Sequence, residues 1–513
     1  MSHSIANRFA FSFSANIIRG IISLLTGLLL ARWLGPEDYG RMAFLLVSFL
    51  AFKQLLDMSS SSAFFTFIAR EDRSYNFFRI YGYWVSIQLL TSMLTILFFI
   101  PDSALSVIWS GEEKSLIILA LIAVFFQNMV WIIASRVAEA ARETIYVQKL
   151  QTVVVVVHLL AIILLFSIGK LAISFIFLAL IIEWLLASFL AIKTYHRVNS
   201  SNNKVNSSNN KDTIKSVFNE FWVYCLPFIP YVWLGAFYMF IERWMLQHWG
   251  GAIEQSYFAI AKQFGMVVLL ATSSILNIAW KEIAEAYHLG DMNKVELLYK
   301  KISYILYLIG AVVAGYTLPW ASEILQLTVG SMYAGGYMVF ALMLLYPVHQ
   351  SMGQIGGMML LATGKTRLKV VLGIVTMLFG VLVAYFMMSP SNSIIPGLGL
   401  AAEGLAWKMI IVQVLEVNLL AFFIARQFDW SFDWWYQVSI LSTVLAVGWA
   451  TKIIVISFTQ SSLVLTIITS FFVYVFLIIC LVYLEPRLIG VNRKKLNSSL
   501  VFLMKKLKAL YEQ

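Results

Sequence analysis

Charge is scarce in this 513-residue chain, and cysteine is scarcer still. Asp, Glu, Lys and Arg make up 12% of the residues, about half the share of an ordinary soluble domain. That deficit excludes a large soluble protein with a charged surface. The two cysteines, Cys225 and Cys480, both lie inside apolar runs, so neither a disulfide framework nor a thiolate cluster is encoded. The six histidines are scattered without ligand spacing, and no metal or cofactor is expected. Gly364-Lys365-Thr366 resembles the end of a phosphate-cradling loop, but the glycine needed five residues earlier is Met359. No ATPase follows from it. Paired carboxylates in a long external loop are missing too, so the chain reads as a non-enzyme. Its opening, MSHSIANRFAFSFSAN, lacks the basic region and small-residue cleavage site of a removable signal.

What is present in excess is apolar surface: 60% of the residues are hydrophobic. A helix crosses the hydrocarbon core with about 20 apolar residues. On that measure the chain is an all-α integral membrane protein of about fourteen transmembrane helices. The expected spans are about 11–34, 40–62, 78–100, 115–135, 150–168, 171–193, 220–246, 257–280, 302–321, 335–361, 368–388, 400–425, 435–456 and 462–484.

The net charge of +11 is a topology signal and not a nucleic-acid footprint, because the basic residues fall in short loops. With the N-terminus inside, 27 of the 37 Lys and Arg residues lie in inside segments and 6 in outside loops, Arg243 among the latter. This asymmetry predicts cytoplasmic termini.

A polar stretch at 196–216 contains a tandem heptapeptide, VNSSNNK at 198–204 and again at 205–211. It reads as a flexible linker. The expected organisation is 1–195, linker 196–216, then 217–425, two further helices in 426–484, and a basic amphipathic tail in 485–513. The two halves echo weakly, Ala31-Arg32-Trp33 with Gly40 against Glu242-Arg243-Trp244 with Gly250. Pro227, Pro230, Pro319 and Pro347 are expected to interrupt spans, and Gly353, Gly356 and Gly357 to let helices approach closely.

Ionisable residues inside spans carry the functional signal, since each costs about 2.5–3.5 kcal/mol at a helix centre and so faces a cavity or a partner. Arg19, Lys53, Lys262 and Lys408, with Arg32 at a span end, form a cationic set suited to the oxygens of a phosphate. Asp57, Glu183 and Glu416 are candidate ion-coupling acids. Other readings stand beside these. Lys53 and Asp57 are spaced for a structural ion pair, Arg32 for snorkelling to the interface, and Lys408 and Glu416 for pairing with each other. Trp33, Tyr39, Trp280 and Trp407 can stack on sugars or sit in an interfacial belt.

Arg19 followed by Leu30-Ala-Arg-Trp-Leu-Gly-Pro-Glu-Asp-Tyr-Gly40 resembles the first hairpin of the Wzx-type polysaccharide flippases, members of the multidrug/oligosaccharidyl-lipid/polysaccharide (MOP) exporter superfamily. Leu361-Ala-Thr-Gly-Lys-Thr-Arg367 and Pro396-Gly-Leu-Gly-Leu-Ala-Ala-Glu-Gly404 are similar to that family's turns around its eleventh helix. The resemblance implies two six-helix bundles around a central cavity, plus two extra C-terminal helices. It also implies alternating access in a bacterial cytoplasmic (inner) membrane, with undecaprenyl-pyrophosphate-linked oligosaccharide (an O-antigen or capsule unit of lipopolysaccharide or capsule biosynthesis) as cargo. H+ or Na+ would be the coupling ion, and a polymerase and a chain-length regulator would be pathway partners. Related lipid II flippases carry essential cations on helices one, two and eight, the helices of Arg19, Lys53 and Lys262 here. A drug/cation antiporter of the same superfamily, a membrane polysaccharide polymerase or ligase, and an assembly scaffold are the competing readings. The antiporter is expected to carry an excess of cavity acids, the polymerase long external loops, and the scaffold no intramembrane cations.

Overall fold

A computed structural model describes residues 5–71, 73–201, 213–459 and 462–489. The core of the expected linker, 202–212, and the tail from residue 490 onward lie outside the described residues. The regular structure of the described residues is all helical, as a hydrocarbon solvent demands of a backbone that must satisfy its own N–H and C=O groups. In chain order the helices are α1 (Ile5–Asp57), α2 (Ser60–Arg70), α3 (Tyr75–Leu94), α4 (Asp102–Ile108), α5 (Lys114–Phe125), α6 (Trp131–Ala140), α7 (Thr144–Ser167), α8 (Ile173–Ser201) and α9 (Ile214–Cys225). They continue with α10 (Ile229–His288), α11 (Met292–Thr317), α12 (Ala321–Val329), α13 (Tyr337–Ala362), α14 (Thr366–Met388), α15 (Ala401–Phe428), α16 (Trp434–Phe458) and α17 (Leu463–Leu484). A π-helical turn, Phe126–Val130, joins α5 to α6.

Among the described residues, eleven helices are long and apolar enough to cross a membrane, or twelve when α9 and α10, bent by 67° at their junction, count as one. Two of these are too long for one crossing. The stretch Ser14–Asp57 has 44 residues, about 66 Å of helix against a core of about 30 Å. It breaks at Gly35 (φ 78°, ψ 169°), directly before Pro36. Before the break the stretch follows α7: Arg19 meets Gln148 near the start of that helix, and Trp33 stacks on Phe166 near its end. Gly251 (φ 78°, ψ −174°) divides the 60-residue α10 in the same way. Both glycines hold a backbone conformation that a Cβ makes costly. Divided at these points, the described spans make fourteen helical segments, the number expected from hydropathy.

Not every proline interrupts a span. The bend between α9 and α10 falls beside Pro227, and α11 ends at Thr317 just before Pro319. Pro230, however, sits in the first turn of α10, where no N–H is required. Pro347 lies inside an unbroken α13. It frees the carbonyl of Met343, which faces Gly265, where a Cβ would lie 3.3 Å away.

The chain forms two compact units, one of Met1–Ile260 with Met377–Leu405 and the other of Ala261–Thr376 with Ala406–Gln513. In the first, the two hinges touch: a Cβ on Gly40 would sit 1.8 Å from the carbonyl oxygen of Ala252. A stacked aromatic cluster of Phe64, Phe77, Tyr81 and Phe221 ties α2, α3 and α9 together. Arg73 covers the cluster, 4.9 Å from the Phe77 ring, and pairs with Glu220 at 3.0 Å.

In the second unit, α11 carries the two C-terminal helices. The hydroxyl of Tyr307 donates to the Gln437 carbonyl at 2.9 Å, and that of Tyr316 to Ile467 at 2.7 Å. Tyr474 on α17 donates back to Val312 at 2.9 Å. Gly315 and Gly448 let α11 and α16 meet at backbone distance, as small residues do between apolar helices. Gly353 likewise abuts Val417 and Gln413 of α15. A Cβ on Gly448 would lie 1.9 Å from the Gly315 carbonyl oxygen, whereas one on Gly357 meets only the flexible Lys369 side chain at 3.6 Å. Gly448→Val is therefore expected to lower the unfolding temperature of the purified protein, by the equivalent of about 1–3 kcal/mol of overpacking. Gly357→Ala leaves it unchanged in the same thermal-denaturation assay.

Candidate cargo and ion sites

Arg19 lies in the first turns of the α1 crossing and is 8% exposed. Its guanidinium donates to the Gln148 backbone carbonyl at 3.2 Å, to the Gln148 side-chain oxygen at 2.7 Å and to the Asn16 side-chain oxygen. These take three of its five donors. All three acceptors are neutral amides, which hold the group in place without cancelling its charge. Gln148 is four residues from the α7 terminus, so Arg19 sits only about 6 Å inside the end of that helix.

Lys53 is handled differently. Its ammonium is 2.9 Å from Asp57, and both side chains are 11% exposed. The Asp57 carboxylate also accepts from the Ser61 backbone N–H at 2.8 Å and from the Ser60 and Ser61 hydroxyls. It thereby caps the start of α2 after the left-handed residues Met58 and Ser59. Asp57 is the joint between α1 and α2, and Lys53 is its counter-charge. Arg32 is exposed.

The third acid, Glu183 on α8, is 8% exposed and accepts from or shares a proton with His158 Nδ1 of α7 at 2.9 Å. Its other carboxylate oxygen is buried and makes no hydrogen bond.

In the second unit, Lys262 on α10 is half-buried. Lys408 is fully buried, and its charge acts on Glu416 two turns further along α15, together with Lys369 from α14. The proposed stacking residues divide as well. The face of Trp33 is covered by Phe166 at 4.1 Å, and Tyr39 is buried. Trp280 and Trp407 remain exposed. An open cavity of about 540 Å³ is lined by Trp280, Lys281, Ala284 and Glu285.

Three residues escaped the sequence reading. Arg243, expected in an outside loop, lies within α10, 6% exposed, with its guanidinium 4.2 Å from the centre of the Phe258 ring. It falls inside the expected span 220–246, and α10 runs past that end to Gly251, so Arg243 lies well within the helix and not at its mouth. Lys369, at the start of the expected span 368–388 but outside the cationic set, lies on α14 with its side chain against Gly357 of α13. His158 was set aside as an isolated histidine, and its partner is 25 residues away on the next helix.

No family model matches the chain, and no curated protein matches it by sequence. Solved structures do. The lipid II flippase MurJ in an inward closed conformation superposes with a TM-score of 0.67 at 14% identity, covering 90% of this chain and 97% of that one. An inward-facing multidrug resistance MATE family transporter of the MOP superfamily gives 0.58 at 14% identity, over 82% of this chain and 98% of that one. A MOP superfamily transporter from Pyrococcus furiosus gives 0.55 at 13% identity, over 82% and 95%. At such identities the likeness is one of fold. The chain is a multi-pass membrane protein with the fold of the MOP exporters. The resemblance read from its first hairpin implies this same fold.

The Lys53–Asp57 pair supplies a test of its own. Asp57→Ala leaves a buried ammonium unpaired and removes the α2 cap, a loss of about 3–5 kcal/mol. The Lys53→Met, Asp57→Ala double variant is expected to recover most of that loss in thermal unfolding, keeping only the cap deficit of about 1 kcal/mol.

Proposed function

We propose that this chain is a flippase that carries an undecaprenyl-pyrophosphate-linked oligosaccharide across the bacterial cytoplasmic membrane by alternating access, with both termini on the cytoplasmic side. The observation that carries this reading is Arg19: a buried cation at the end of a membrane helix whose partners are neutral amides. A phosphate oxygen approaching it meets an uncancelled positive charge and a planar, multi-donor group suited to that oxygen. The depth suits the cargo. With its lipid tail in the bilayer, a pyrophosphate head group sits near the interface, at the level of the first turns of the α1 crossing. The fold likeness to a lipid II flippase over 90% of the chain supports the same reading. Lys262, Lys408 and Lys369 are proposed as further contacts for the anionic cargo, with O-antigen or capsule units as the cargo class.

The test is complementation of a deletion strain, scored by surface-glycan display with membrane protein levels matched. Arg19→Ala is expected to abolish display, and Arg19→Lys to keep part of it, because the charge survives without the planar fork. Full display by Arg19→Ala sinks the reading.

A further inference from the structure

The His158–Glu183 pair belongs to no cargo contact and to no helix cap. Both residues are on adjacent membrane helices of the first unit, with side-chain exposures of 16% and 7%. One Glu183 oxygen meets imidazole Nδ1 at 2.9 Å, and the other is buried without a hydrogen bond. A carboxylate held this way in an apolar setting carries a steep penalty as long as the pair has a net negative charge. One added proton makes the pair neutral, either as imidazolium with carboxylate or as imidazole with carboxylic acid.

Among the described residues, the charges on the neighbouring helices are distant, exposed or paired with acids of their own. On α1, Arg19 is engaged about 15 Å away along α7, at Gln148. Arg32 is exposed, Arg41 pairs with Glu112, and Lys53 with Asp57. On α5, Lys114 pairs with Asp102, and on α6, Arg136 pairs with Glu139. The helix wall beside the pair is also irregular. The π turn Phe126–Val130 packs on α8, and the residue that follows it, Trp131, lies 5.3 Å from Trp184, the neighbour of Glu183. Such turns are frequent at functional sites, where the helix can shift register at low cost.

We propose that His158 and Glu183 form a proton-binding site that couples transport to the proton gradient. The donor set favours H+ over Na+. A hard cation needs several converging oxygen ligands, and here one carboxylate oxygen is already committed to a ring nitrogen. Histidine is the side chain that changes charge in the physiological pH range. In the step itself hydronium hands a proton to the pair and leaves as water, the charge of the pair goes from −1 to 0, and no covalent bond to carbon is made or broken. Loading thus removes the electrostatic penalty for moving this part of α7 and α8.

The inference rests on the transport reading above, but its test needs no cargo. The full chain is reconstituted in liposomes on a solid-supported membrane and given an acid step from about pH 7.5 to about pH 6.5. Wild type is expected to give a transient charge displacement that Glu183→Gln and His158→Ala lose and Glu183→Asp retains. A Na+ step at constant pH is expected to give no signal that depends on Glu183. An unchanged acid response in Glu183→Gln, or a Na+ response that this variant abolishes, overturns the proposal. So does a wild-type protein with no acid response, however the variants fold. Failure of the flippase reading shows separately, as full glycan display by Arg19→Ala, and leaves the charge displacement intact.

Discussion

The first unit depends on two stretches of backbone in contact. Gly40 lies against the carbonyl of Ala252 so closely that no side chain fits between them. Each contact residue follows a hinge of the same geometry, Gly35 and Gly251, with φ of 78° and an extended ψ. Reversing direction through such a glycine needs no loop. Each hairpin therefore stays helical to its tip, and its polar backbone groups remain satisfied. From the second hinge Glu254 reaches the Ala402 backbone N–H at 3.1 Å. That N–H opens α15 after the turn at 390–400, where Gly397 and Gly404 pack against Ser389 and Met387. Three short motifs far apart in sequence are one structural joint.

Around that scaffold, ionisable groups are tolerated in three distinct ways. Lys53 is cancelled by an acid one turn away, Glu183 is shared with an imidazole, and Arg19 is solvated by amide oxygens. The first arrangement fixes architecture, because removing either partner leaves a buried charge. The second is neutral only with a proton in place. The third alone keeps a net field while satisfying hydrogen bonds.

Much of the fold was legible because the membrane imposes length and composition directly. Apolar runs gave fourteen expected spans, and the gap between the spans 11–34 and 40–62 falls on the first hinge at Gly35. The second hinge is harder to see. Gly250-Gly251 has no proline beside it, so the expected span stops at 246, and Arg243, three residues before that end, is counted with the outside loop. Pro347 failed in the opposite sense: a proline breaks a helix in water, but here the freed Met343 carbonyl is covered by Gly265, and α13 continues. The candidate acids were visible as isolated charges in apolar runs. Asp57 was even paired correctly, since its partner is one helical turn away. Pairing Glu183 with His158 requires knowing which faces of α7 and α8 meet, and both helices are so uniformly apolar that periodicity carries no such information.

The partner chemistry also separates roles that the sequence merged. Arg19 and Lys53 entered as equal members of a cationic set, yet an ammonium 2.9 Å from a carboxylate that itself caps a helix presents little field to a third group. To meet a phosphate, Lys53 would have to leave Asp57, uncapping α2 and stranding a buried acid. Arg19 meets no such conflict, because an amide oxygen gives up a hydrogen bond to phosphate without leaving a charge behind. The proposed cargo contact in this unit therefore falls to the cation held by neutral groups, and the ion pair is left to hold α1 and α2 together while the cargo moves.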